Sequence, residues 1–161
     1  MKKSFLNKLK EENKLILVEP STNICKSYLE KADNCLKSSK ILLENNLYEN
    51  SVSMAYYAMY NSLTALLFKI GIKCENHTGS IILLKKLLEK NELFDIISYS
   101  KKERVDKQYY VTSKEDLDLS ECSSKDMVEK AETFLIQIKL ILNDINQNNI
   151  DKIREKYKVI K

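Results

Sequence analysis

The stretch SVSMAYYAMYNSL, residues 51–63, holds three tyrosines, two methionines and two alanines and no charge, in a chain otherwise crowded with lysine and glutamate. Read at helical spacing, Val52, Ala55, Met59, Leu63, Leu66 and Ile70 recur at three- and four-residue steps and make one face. Tyr56, Tyr60 and Leu67 flank that face, and Tyr57, Asn61 and Thr64 form the next strip round. A surface helix needs only one apolar side. This segment therefore reads as the central helix of a bundle, with small Ala55 and Ala58 admitting a close neighbour. The uncharged polar strip carrying Tyr57 and Asn61 suits the lining of a cleft or a dimer seam as well as a rim.

The rest of the chain supports the same architecture. Its 161 residues suit one compact domain, and 2 Gly with 1 Pro leave little for tight turns. Pro20 bars a helix at its predecessor, and Ser21 or Thr22 can cap a helix running to about Asn45. The polar run ENNLYEN reads as a corner, and Gly71 sits where a helix end takes a left-handed residue. IKCENHTG reads as a loop, with Thr78 capping the helix GSIILLKKLLEK. A weaker helix follows over LFDIISYSKKERVDKQ. YYVTSKEDLDLSECSS has no sustained period and reads as a long loop, with Ser123 or Ser124 opening the last long helix. NQNN ends that helix ahead of a short basic one. The expected fold is all-α: an up-and-down bundle of four to five main helices with short flanking helices, and almost no strand. The expected organisation is an N-terminal helix and linker (1–20), the bundle (21–147) and a basic C-terminal helix (148–161).

The formal net charge of +4 is too mild to mark a nucleic-acid binder by itself. Its distribution is uneven: acids crowd 115–132, while the tail from Asp151 to Lys161 has five basic residues against two acidic. Arg104 and Arg154 are the only arginines. A guanidinium forks two hydrogen bonds where an ammonium is a point charge, so sparing use invites a reason for each. Four cysteines without a CxxC pair and one histidine match no usual zinc set, and no metal or cofactor is expected. Cys25 and Cys35 would lie about 15 Å apart along one helix, too far to bridge. Free thiols point to a cytoplasmic protein. MKKSFLNKLKEENK lacks the apolar core of a signal peptide, and no run is long enough to span a membrane.

SVSMAYYAMYNSLTALLFKIGI followed by ENHTGSIILLKKLL resembles the signature of the HEPN superfamily (higher eukaryotes and prokaryotes nucleotide-binding), in its small prokaryotic, toxin–antitoxin-associated branch. The likeness spans residues 22 to about 146, and Ala-Tyr-Tyr-Ala-Met is its specific part. It implies a helical bundle, a homodimer, and in many members a metal-independent ribonuclease toxin paired with a minimal nucleotidyltransferase. The chemistry of such enzymes rests on an arginine followed, after four to six residues, by a histidine, facing a second copy across the dimer.

In KKERVDKQYYVTS the matching arginine is Arg104. The histidine slot falls on Tyr109, Tyr110 or Val111, and Val105 follows the arginine. A tyrosine of pKa near 10 is ionised to about one part in a thousand at pH 7, a poor base. The resemblance thus places Arg104 and Tyr109 in the catalytic positions while predicting weak or silent catalysis. Lys101, Lys102, Arg104, Lys107 and Tyr110, with Tyr57 and Asn61, form the expected surface for single-stranded RNA or a nucleotide, since charge and stacking together grip unpaired bases. Tyr109 and Tyr110 also stand near the place where a partner nucleotidyltransferase modifies a tyrosine in related pairs. His77, the sole histidine, reads as a residue of the NHTG turn that bonds a neighbouring helix end. The competing reading is an active metal-independent ribonuclease toxin using Arg104 at a dimer interface. A third is a helical scaffold dimer.

Overall fold

The computed structural model describes the backbone of residues 4–109 and 116–160, and side chains over 4–106 and 120–160. Seven helices lie within these residues: α1 Phe5–Glu11, α2 Thr22–Glu44, α3 Tyr48–Ile70, α4 His77–Lys86, α5 Asn91–Tyr109, α6 Asp116–Asp144 and α7 Gln147–Val159. The fold is all-α, as the sequence predicts.

Helix α3 is the axis. Thirteen of its residues are buried, from Ser51 and Val52 to Leu67 and Ile70, around all of the helix except a half-buried strip of Ser53, Tyr57, Tyr60, Thr64 and Phe68. Antiparallel α2 packs along it, with Ala32 fully buried in the seam, and α6 contributes Met127, Ala131, Phe134 and Ile138, all at 0% exposure. Small residues at this seam let the backbones close up, so packing rather than propensity holds the helices. Polar residues inside α3 find local partners: Ser51 Oγ donates to Ser39 O, and Ser62 Oγ to Met59 O.

Several boundaries differ from the sequence reading, each for a local reason. Helix α3 begins at Tyr48 because Asn46 takes positive φ and turns the chain within three residues. The α4 cap is Asn76, whose side chain accepts from Gly79 N, so His77 and Thr78 are helical rather than loop. Helix α6 starts at Asp116 instead of Ser123, so the acidic segment expected as loop supplies its first turns. Two short strands, β1 Leu15–Leu17 and β2 Ile72–Cys74, pair antiparallel with Leu15 opposite Cys74 and Leu17 opposite Ile72. With three residues each, their alternation is too short to register as a sequence period.

The two ends of the chain meet on the C-terminal end of α3. Gly71 caps α3 at φ 80°, its N–H reaching Phe68 O. Arg154 of α7 donates through Nη1 to Val18 O, Ile70 O and Gly71 O at 2.9, 3.1 and 2.8 Å. Lys10 of α1 donates to Tyr157 O and Ile160 O, closing the end of α7. Tyr157 returns its hydroxyl to Leu15 O at 2.8 Å. A guanidinium at exposed carbonyls of a helix end satisfies acceptors that the helix itself cannot. This gives Arg154 its reason. All four cysteines are free. No helix among the described residues is long and apolar enough to cross a membrane, and no group of His, Cys, Asp or Glu there has the makings of a metal site.

Candidate functional site

Helices α3, α4 and α5 converge around Tyr56. Its ring is fully buried, and its hydroxyl lies 2.9 Å from His77 Nδ1. Tyr60, one turn further along α3, stacks on the His77 ring with centroids 3.7 Å apart and planes 15° from parallel. From α5, the Arg104 guanidinium lies over two rings of α3, 5.3 Å from that of Tyr56 and 5.0 Å from that of Tyr57. Cation–ring contacts at this range hold a guanidinium in place without neutralising it. Lys101, one turn before Arg104, donates to Thr78 Oγ1 beside His77.

Protonation follows from this packing. Burial pushes the Tyr56 hydroxyl well above the ordinary tyrosine range, and the nearby Arg104 charge only partly offsets it. The hydroxyl keeps its proton, and a buried donor left unmade costs about 1–3 kcal/mol. The acceptor available to it among the described residues is His77 Nδ1. Burial first, then the charges of Arg104 and Lys101, hold the His77 pKa below its usual value. His77 is therefore neutral at pH 7, and a Tyr56 hydroxyl that donates to Nδ1 leaves the ring proton on Nε2. Burial likewise raises the Tyr60 pKa.

The expected site residues do not all gather here. Arg104 and Tyr57 meet directly, and Lys101 stands beside them at the start of α4. Asn61 is buried one turn along α3 from Tyr57, and Lys102 is exposed to solvent. Lys107 and Tyr109 belong to α5 by backbone, but their side chains lie outside the described residues, as does Tyr110 altogether. His77 is the residue that sequence reasoning set aside. It bonds the hydroxyl of a tyrosine in the middle of α3 rather than a helix end, and shares Tyr56 with Arg104 within one chain. The signals were Tyr56 and Tyr60 one turn apart and the NHTG turn, but their convergence on α5 is a matter of packing.

Comparison with known proteins bears on this constellation. The HEPN domain matches residues 25–142, the segment from α2 through α6 that carries Tyr56, His77 and Arg104. The chain belongs to the HEPN family. A protein of Methanocaldococcus jannaschii named as a candidate toxin is 32% identical over 120 residues, covering 73% of this chain and 87% of that protein. A UPF0332 protein of Thermotoga maritima is 26% identical, covering 77% of this chain and 95% of its own. One of Archaeoglobus fulgidus is 28% identical, covering 74% and 94%. The HEPN match stops short of α1, β1 and α7, so the clasp that joins the two chain ends lies outside it.

Proposed function

We propose that this HEPN protein grips the phosphate backbone of single-stranded RNA, or the phosphate of a nucleotide, at Arg104, and that it turns RNA over weakly or not at all. The observation that carries this reading is the state of the one histidine. The His77 ring and the Arg104 guanidinium both contact Tyr56, and Lys101 bonds Thr78, the next residue after His77. Two cationic side chains and an imidazole on neighbouring turns suit an anion. In this reading the imidazole is engaged by Tyr56 and does not serve as a general base, a role typically worth about a hundred- to ten-thousand-fold in rate.

In the cell the protein then acts as the cytoplasmic HEPN half of a toxin–antitoxin-like pair, as a homodimer, with a minimal nucleotidyltransferase as its partner. The toxin name of the archaeal relative supports that setting. It also supports the second reading, an active metal-independent ribonuclease in which Arg104 works at a dimer interface.

The test is purified protein with labelled single-stranded RNA in a chelator, beside Arg104→Ala, Lys101→Ala and Tyr109→His. Binding should weaken more in Arg104→Ala than in Lys101→Ala, with little cleavage by the unmodified protein. Robust cleavage lost in Arg104→Ala would establish the ribonuclease instead. Equal binding by all the proteins would make Arg104 a surface residue. Light scattering on the same sample should give twice 18.8 kDa.

A further inference from the structure

The half-buried imidazole of His77 is the only one in the chain. From α3, the Tyr56 hydroxyl meets its Nδ1 at 2.9 Å and the Tyr60 ring covers its face at 3.7 Å. From α5, Arg104 rests on the ring of the same Tyr56, and Lys101 bonds Thr78, one residue beyond His77. Both cations act on the imidazole and oppose a charge there. Strand β2 brings Lys73 and the free thiol of Cys74, and Glu75, just beyond it, is paired to Lys73. Helix α2 brings Tyr28, Lys31 and Cys35 to the cleft that His77 also lines. Helix α1 meets α4 through Leu9 at Gly79, while its Lys8 and Lys10 turn to Glu12 and the end of α7.

This cluster can take up a proton without coming apart. Neutral His77 accepts the Tyr56 proton on Nδ1. A proton placed on Nδ1 reverses that bond, and the tyrosine oxygen, an acceptor as well as a donor, receives it. The face of the Tyr60 ring suits a cation better than a neutral partner. Burial resists the proton first, and the charges of Arg104 and Lys101 resist it next. An oxyanion on Arg104 offsets the second cause, because an opposite charge close by favours the charged form. Anion and proton then strengthen each other's binding by the same factor, whichever arrives first.

We infer that the site binds its oxyanion, a phosphodiester of single-stranded RNA, together with up to one proton taken from solvent by His77, so that its grip tightens as the pH falls. The inference rests on the reading of Arg104 as the anion ligand and adds how that site is regulated.

The sole histidine makes the test direct. The imidazole carbon-bound proton resonances of the full chain are followed by NMR between pH 7.5 and 5.5, alone, with sulfate and with a short oligouridylate, two probes whose own charge is constant over that range. Either probe should raise the pKa of His77. One neighbouring charge moves such an equilibrium by about tenfold or more, and part of the change falls below pH 5.5. Calorimetry should therefore read at least about a threefold gain in oligouridylate affinity from pH 7.5 to 5.5. The same titration in buffers of different ionisation enthalpy should show proton uptake on binding. In His77→Gln the affinity should be flat over this range. Oligouridylate affinity equal at the two pH values, with the His77 titration unmoved, overturns the inference and leaves the Arg104 reading in place; that arm needs no variant to fold. A response to sulfate without one to oligouridylate overturns the RNA assignment. A pH-dependent affinity that Arg104→Ala retains undiminished keeps the proton uptake and removes Arg104 as the ligand. No binding of either probe at millimolar concentration, at either pH, removes both.

Discussion

Replacing Arg154 by methionine keeps the aliphatic stem and removes the guanidinium that holds the chain ends to α3. In the native protein one nitrogen, Nη1, lies within 3.1 Å of three carbonyls, those of Val18, Ile70 and Gly71. It carries two hydrogens, so two bonds at most act at full strength and the third is shared. A hydrogen bond from a charged donor contributes about 1.5–3 kcal/mol net. The site is half-buried and water can replace part of the loss, so the lower end applies, giving about 2–4 kcal/mol. For a domain of this size each kcal/mol moves the melting temperature by about 2–4 °C, and the fall should be about 10 °C. Arg154→Lys, a point donor that cannot serve both sides of the turn, should lose about half as much. Thermal melts followed by circular dichroism read both values. A fall below about 2 °C in the methionine variant would refute the reasoning, because the three carbonyls would then be equally well served by solvent.

Two more outcomes follow from the same packing. Gly71→Ala should cost at least about 3 kcal/mol in urea unfolding, since φ 80° penalises a side chain and its Cβ would lie 2.5 Å from Val18 O and 2.1 Å from Arg154 Nη1; a variant as stable as the parent would mean that the cap can be rebuilt. The depressed pKa of His77 makes the folded state bind this proton less readily than the unfolded chain. Stability is then intact above about pH 6.5 and falls as the pH drops below it; His77→Gln should flatten the fall in urea midpoint between pH 7.5 and 5.5, and an unchanged slope would count against the half-buried neutral imidazole.

Much of the architecture is written in local pattern. The apolar breadth of 52–70 marks α3 as central because burial over most of a helix's circumference demands apolar residues over most of it. Pro20, Ser21 and Gly71 punctuate the chain through backbone geometry that each residue carries with it, and Ser21 does accept from Ile24 N as an N-cap. Ala-Tyr-Tyr-Ala-Met with NHTG was enough to place the chain in its family. The segment 116–122 misled because its acidic residues hide a weak apolar period, which helix α6 does not need once its later turns are packed.

The site was only half legible, and the reason is distance along the chain. Arg104 and the flanking tyrosines stand out by residue type, but nothing local says that α4 and α5 cross α3 at Tyr56. That crossing brings His77 and Arg104, with 26 positions between them, onto the same tyrosine, Tyr56, and makes a turn residue a half-buried hydrogen-bonding partner of that ring's hydroxyl. The strand pair β1–β2 and the Arg154 clasp belong to the same class. Each joins segments more than fifty residues apart, and each exists because a helix end and two short backbone edges must satisfy their polar groups somewhere. Sequence fixes which groups must be satisfied. Which distant residue reaches them is decided by the packing of the whole chain.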